Sequence, residues 1–98
     1  MTLRLSSSAE KEYGNSSLYY LEVSPSVALG FIEEVEDALT EITDYPERYP
    51  YYKGNVRVRV LTNYPFSIFY RVIANADEVL VLSISHQSRN PEHWDDRV

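Results

Sequence analysis

Three short runs between Val56 and His86 limit what this chain can become: two alternate with the period of a strand, and the third is apolar over a strand's length. In the first, Val56, Val58 and Val60 alternate with Arg57 and Arg59. A strand there points valines to one face and arginines to the other. In the second, Phe66, Ile68, Tyr70 and Val72 alternate with Ser67, Phe69, Arg71 and Ile73. The third, Val79 to Ile84, is apolar until Ser83, the pattern of a central strand covered on both faces. Asn75-Ala76-Asp77-Glu78 supplies a turn between the second and third runs. The spacing predicts an antiparallel meander of three strands.

Upstream, the period changes from two to 3.6. Pro25 to about Asp44 carries an apolar stripe of Val27, Phe31, Val35, Ala38, Leu39 and Ile42, with Glu33, Glu34, Glu36, Asp37 and Glu41 filling much of the remainder. Such a helix runs ~30 Å. Pro25 suits its first position and Pro46 stops it. A preceding helix starts after Ser6-Ser7-Ser8, where serine caps and acids occupy the first turn. Ala9, Tyr13, Ser16, Tyr20 and Val23 share one of its faces, although Gly14-Asn15-Ser16-Ser17 is poor helix material. The tight Ser24-Pro25 junction makes the two helices an antiparallel hairpin. Leu3-Arg4-Leu5 alternates and is read as a short edge strand. Tyr45 to Tyr52, with two prolines and four tyrosines, reads as a loop. Its tyrosines either stack on bases or pack as a proline-pinned flap. The expected architecture is α/β of the α+β type. A small antiparallel sheet of three to four strands packs on an N-terminal two-helix hairpin, leaving its other face for a ligand, a partner or water.

The 98 residues make one domain, 1–98, able to bury ~60–68% of its unfolded surface. The absence of cysteine rules out disulfides and thiolate metal sites and is compatible with a reducing, cytoplasmic setting. No apolar run approaches a membrane span, and no charged-then-apolar leader suggests export. The net charge of −6 argues against a general nucleic-acid binder. Its distribution is uneven. Residues 48–76 contain Arg48, Lys53, Arg57, Arg59 and Arg71 and no acid, whereas residues 1–47 carry ten acids and two bases. That basic island is either a solvated arginine face or an anion-binding one.

The chain has no glycine-rich phosphate loop and no Gly-x-Ser-x-Gly elbow. His86 and His93 with Glu92, Asp95 and Asp96 match no common metal-ligand spacing, so no metal and no cofactor is expected. His86, at the exit of the last strand with Arg89 three residues on, either serves as acid or base beside the sheet arginines or simply closes the strand. Trp94 would pin the tail to the core.

The ordered set of motifs resembles the RelE/ParE superfamily of type II toxin–antitoxin toxins, often called plasmid stabilisation proteins. The residues concerned are Tyr19-Tyr20; Phe31-x-x-Glu34-Val35-Glu36-x-Ala38-Leu39-x-x-Ile42; Pro46-Glu47-Arg48-x-Pro50; Val56-Arg57-x-Arg59; Tyr64-Pro65-Phe66-x-Ile68-x-Tyr70-Arg71-Val72; and His86-x-x-Arg89-x-Pro91-x-x-Trp94. The resemblance implies an antiparallel sheet carrying a helical hairpin, and a cognate antitoxin whose extended segment wraps the toxin. It implies one of two targets: mRNA on the ribosome, cleaved by basic sheet residues plus a C-terminal His or Tyr, or DNA gyrase, which is inhibited.

Carried over by position, Arg59, Arg71 and His86 are the candidate catalytic residues of a nuclease. Lys53, Arg57, Arg59, Arg71 and Arg89 are the candidate anion or nucleic-acid contacts. For that site to assemble, Arg71 must share the face of Arg57 and Arg59. The loop before the sheet offers only Lys53, no tyrosine follows His86, and the chain is acidic. These departures favour gyrase inhibition over RNA cleavage. The remaining reading is a non-catalytic protein-binding module on an inactivated toxin fold. A homodimer, or a heterotetramer with antitoxin, is the expected assembly.

Overall fold

The computed structural model describes residues 1–88. Arg89, His93 and Trp94 therefore lie outside the described residues. The elements are β1 (Thr2–Leu5), α1 (Ser7–Val23), α2 (Pro25–Asp44), β2 (Tyr51–Lys53), β3 (Val56–Val60), β4 (Phe66–Ile73) and β5 (Glu78–His86). A single-turn 3-10 segment at Ala74–Ala76, closed by Asp77 in the left-handed region, joins β4 to β5.

Both helices form where their signals stand. Ser6 caps α1 by accepting from the Ala9 amide at 3.0 Å, and its hydroxyl donates to Leu82 O at 3.0 Å. α1 continues through Gly14–Ser17 without a break. Packing overrides the weak propensity there. Tyr13 and Tyr20 on either side pack on Phe31 of α2, with ring centroids 6.1 and 5.0 Å apart. Ser17 returns its hydroxyl to Tyr13 O. In α2, Pro25 takes the first turn, and Ala28, Phe31, Val35, Ala38, Leu39 and Ile42 are buried. Ser24 stands extended between the helices and makes no side-chain cap to α2.

The sheet differs from the expected one in count and in sense. It has five strands in the order β1-β5-β4-β3-β2, and it is mixed. β1 pairs parallel with β5, whereas the other pairings are antiparallel. The second difference from expectation is Tyr51–Lys53, which is not loop but strand. Gly54, at φ 57, lets the chain reverse immediately and pair β2 on β3.

A bulge opposite Phe69 and Tyr70 shifts the β5 register. It explains why Val81 and Ile84, three residues apart, both join the core under the helices. That core also takes Ile68, Tyr70, Val79, Phe66 and Leu61 against the α2 stripe. The other face carries a second apolar cluster: Val56, Phe69, Leu80 and Leu82, with Val58 and Ile73 packed on it. No described helix or strand covers that second face. β1 stops at Leu5, opposite Val81. Beyond it α1 satisfies the exposed β5 edge: Ser6 N donates to Val81 O, and the Glu12 carboxylate accepts from the Ile84 amide.

Candidate functional site

The register decides where the sheet arginines go. Arg57 lies opposite Tyr70 and Arg59 opposite Ile68, both core residues of the hairpin face. Arg71 lies opposite Leu80, a member of the second cluster. The expectation that Arg71 shares a face with Arg57 and Arg59 is therefore not met. Strict alternation in two strands says nothing of their relative phase, and the pairing sets that phase.

Arg57 and Arg59 are engaged locally. The Arg57 guanidinium donates to Tyr49 O at 2.7 Å and Glu47 O at 3.3 Å, and lies 3.8 Å from the centroid of the Tyr51 ring. It fastens the loop after α2 to the sheet. Arg59 pairs with Glu41 at 3.3 Å, donates to Val60 O, and lies over Tyr49. The Tyr49 hydroxyl donates to the same Glu41 carboxylate at 2.6 Å. The Tyr49 hydrogen bond, followed by the charges of Arg59 and Arg48, holds that carboxyl below its ordinary range. An arginine so neutralised has little field left for a phosphate.

Arg71 is half-buried on the opposite face, and its Nε is buried with no acceptor. Lys53 stands exposed on the edge strand β2. His86 ends β5 with its ring edge-on to Phe66, centroids 5.2 Å apart. Its Nδ1 accepts from the Ser88 amide at 3.1 Å, so the neutral ring carries its proton on Nε2. A groove bounded by Asn15, Ser16, Tyr19 and Tyr20 of α1 opens beside it. Arg59 borders a different groove, with Gly30, Glu41 and Tyr64. The aromatic cluster of Tyr20, Phe31, Tyr64 and Phe66 stands between the two. The described candidates are thus dispersed: Arg57 and Arg59 on the hairpin face, Arg71 on the opposite face, Lys53 on the edge strand β2, and His86 at the end of β5, where it borders both the α1 groove and the cleft of the second face. Arg89 lies outside the described residues.

Two arrangements escaped the sequence reading. One is the Tyr49–Glu41–Arg59 cluster. The other is Glu34, whose carboxylate accepts from the amides of Thr62 and Asn63 and from Asn63 Nδ2, clamping the β3–β4 loop to α2. Both join residues far apart in sequence, and no local pattern marks them. The open face holds a cleft of about 260 Å³, lined by Tyr52, Val58, Val60, Phe69, Ser85 and His86, among others. It is apolar with a polar end, a shape suited to an amphipathic protein segment rather than to a phosphate.

A five-stranded mixed sheet carrying a two-helix hairpin, with an apolar open face and dispersed arginines, defines a small α+β domain of the toxin type anticipated above. The model of the family "ParE toxin of type II toxin-antitoxin system, parDE" matches residues 3–91, and the chain belongs to that family. Among solved structures it is similar to the "Chromosomal ParDE TA system from P. aeruginosa", with a TM-score of 0.75 and 21% identity, covering 88% of this chain and 95% of that one. At that identity the likeness speaks for the fold. A comparison with curated protein sequences finds no match. Among the described residues, no helix is long and apolar enough to cross a membrane.

Proposed function

We propose that this ParE-family toxin inhibits DNA gyrase by docking, and that a cognate antitoxin neutralises it in the cytoplasm. The observation that carries this reading is the division of the arginines between two faces. Phosphodiester cleavage needs charge and a proton-transfer group converging on one phosphate. Here Arg59 is held by Glu41, and Arg71 projects from the opposite side of the sheet. A docking inhibitor needs no such convergence. The acidic total supports the same reading, because neutralising phosphates supplies much of the affinity for RNA. The cleft on the second sheet face, with Tyr52 and Val60 exposed at its rim, supports an antitoxin contact there.

Transcript integrity and plasmid supercoiling, followed in cells expressing each variant, test the proposal. Arg59→Ala, Arg71→Ala and His86→Ala should leave growth inhibition nearly intact, with altered supercoiling and whole transcripts. In a nuclease each arginine would cost on the order of 10²–10³-fold in rate and His86 roughly 10²–10⁴-fold. Cleaved mRNA with normal supercoiling, abolished by His86→Ala, would establish the ribonuclease reading instead. Growth unaffected by the chain, with or without an antitoxin, would favour a binding module on an inactivated toxin fold.

A further inference from the structure

Leu18, Leu21, Leu29 and Ile32 of the helical hairpin stand in water, from 36% to 61% exposed. Exposed leucines scattered singly need no explanation, but the hairpin brings these four together. The Tyr13 hydroxyl donates to Glu36 Oε2 at 2.8 Å, so Glu36 marks the flank of α2 that faces α1. Leu29 and Ile32 precede Glu36 by seven and four residues and share that flank. On α1, Glu12 reaches the Ile84 amide at the β5 edge. Leu21 is nine residues further on, about two and a half turns, and so faces away from that edge, towards α2. Leu18, three residues earlier, lies beside it on the outer side. The chain reverses at Ser24-Pro25, and Tyr13 stands level with Glu36. Leu18 and Leu21 therefore come level with Ile32 and Leu29. The four line the outer groove between the helices, next to their junction.

We propose that this groove is a docking site for an amphipathic helix of a second protein, one whose apolar stripe is flanked by lysine or arginine. The groove dictates a helical occupant. α1 and α2 satisfy their own backbones and offer no free edge, so a segment pressed between them must satisfy its own backbone as well. A helix does so, and its apolar side chains interdigitate with leucines at steps of three. Charge dictates the flanks. The two helices together carry nine acids and one base. Glu12, Glu34 and Glu41 are engaged with the sheet and its loops. Glu22 and Glu33 stand exposed on the outward sides of the two helices, and Glu36 continues the groove beyond Ile32. An apolar seat with an acidic surround matches a basic amphipathic partner. The same charges exclude a second copy of the chain as occupant, because two such hairpins face to face repel. The site lies on the side of the sheet opposite the cleft of Tyr52 and Val60, and it goes beyond the gyrase reading.

The probes are three labelled peptides titrated into the full-length chain and followed by fluorescence anisotropy. The first is built of leucine and lysine with the leucines at helical spacing. The second is a scramble of the same composition, and the third carries glutamate in place of each lysine. The first should bind, and the other two should bind at least about tenfold more weakly. Leu21→Gln and Leu29→Gln should each weaken the first peptide about 4- to 12-fold, the share left to a leucine already half-covered in the free chain. Val60→Gln, on the far side of the sheet, should change nothing. Amide shifts in the unaltered chain should move at Leu18, Leu21, Leu29 and Ile32, which keeps the test open if a variant fails to fold. The proposal is overturned if the scrambled peptide binds as tightly as the striped one, since charge alone would then suffice. It is equally overturned if the glutamate peptide binds as tightly, or if Val60→Gln and not Leu21→Gln weakens binding. A dimer in sedimentation that Leu21→Gln dissociates would also overturn it, by assigning the groove to a second copy. Supercoiling enters none of these readouts, so failure here leaves the gyrase test untouched.

Discussion

At the scale of single residues, Gly30 and Tyr64 show how closely α2 meets the β3–β4 loop. A Cβ on Gly30 would stand 2.5 Å from the Tyr64 hydroxyl, which donates to Val27 O at 2.9 Å. The Tyr64 ring cannot simply swing aside, because Tyr20 and Phe31 pack edge-on against it. Gly30→Ala gains ~1 kcal/mol of helix propensity but costs the hydrogen bond and the aromatic fit, so a net loss of about 1 kcal/mol is expected. Urea unfolding measures it. Adding Tyr64→Phe removes the clashing oxygen, so the double variant should be more stable than the sum of the singles. Tyr70 is the second such residue. It is fully buried, and its hydroxyl donates to Pro46 O at 2.6 Å. Burial pushes its pKa up to about 12. Neutral Tyr70 is therefore favoured by the fold. The stability it contributes is complete below pH ~10, where the unfolded phenol titrates, and is lost as pH rises towards 12. Tyr70→Phe should lower stability by about 1–2 kcal/mol at pH 7 and flatten part of the alkaline decline.

At the scale of elements, the β3–β4 connection depends on a helix far away in sequence. Glu34 takes the place that a strand partner would fill for the amides of Thr62 and Asn63. Glu34→Ala should cost about 1–2 kcal/mol, since hydrogen bonds to a charged acceptor are lost from an exposed loop. Hydrogen exchange at the Thr62 and Asn63 amides should accelerate, while the β4 and β5 amides keep their protection. An unchanged exchange rate at Thr62 and Asn63 would mean that the loop holds itself. α1 plays the matching part at the other edge, where Ser6 and Glu12 serve β5 after β1 has ended.

At the scale of the whole molecule, charge and apolar surface are sorted. Among the described residues, acids crowd the helices, most of the bases lie on the sheet and its leading loop, and the second sheet face is apolar with Arg71 among its residues. That sorting suits a protein that works by contact with proteins, the reading advanced above, more than one that grips a nucleic-acid backbone. The supercoiling and transcript assay tests that reading in the cell.

The sequence by itself determined the local elements. The α2 stripe, Pro25 and Pro46 bounded a helix, Ser6 capped another, and alternation marked β3 and β4, because each signal is carried by neighbours along the chain. Only the tertiary structure decided the phase between strands, and with it the separation of Arg71 from Arg57 and Arg59. It also decided the parallel place of β1 and the pairing of Tyr51–Lys53 on β3. The physical reason is common to all of them. Pairing register and packing are interactions between residues distant in sequence, so no period within one segment contains them. The candidate site was legible as a list of residue types, and its geometry belonged to the fold.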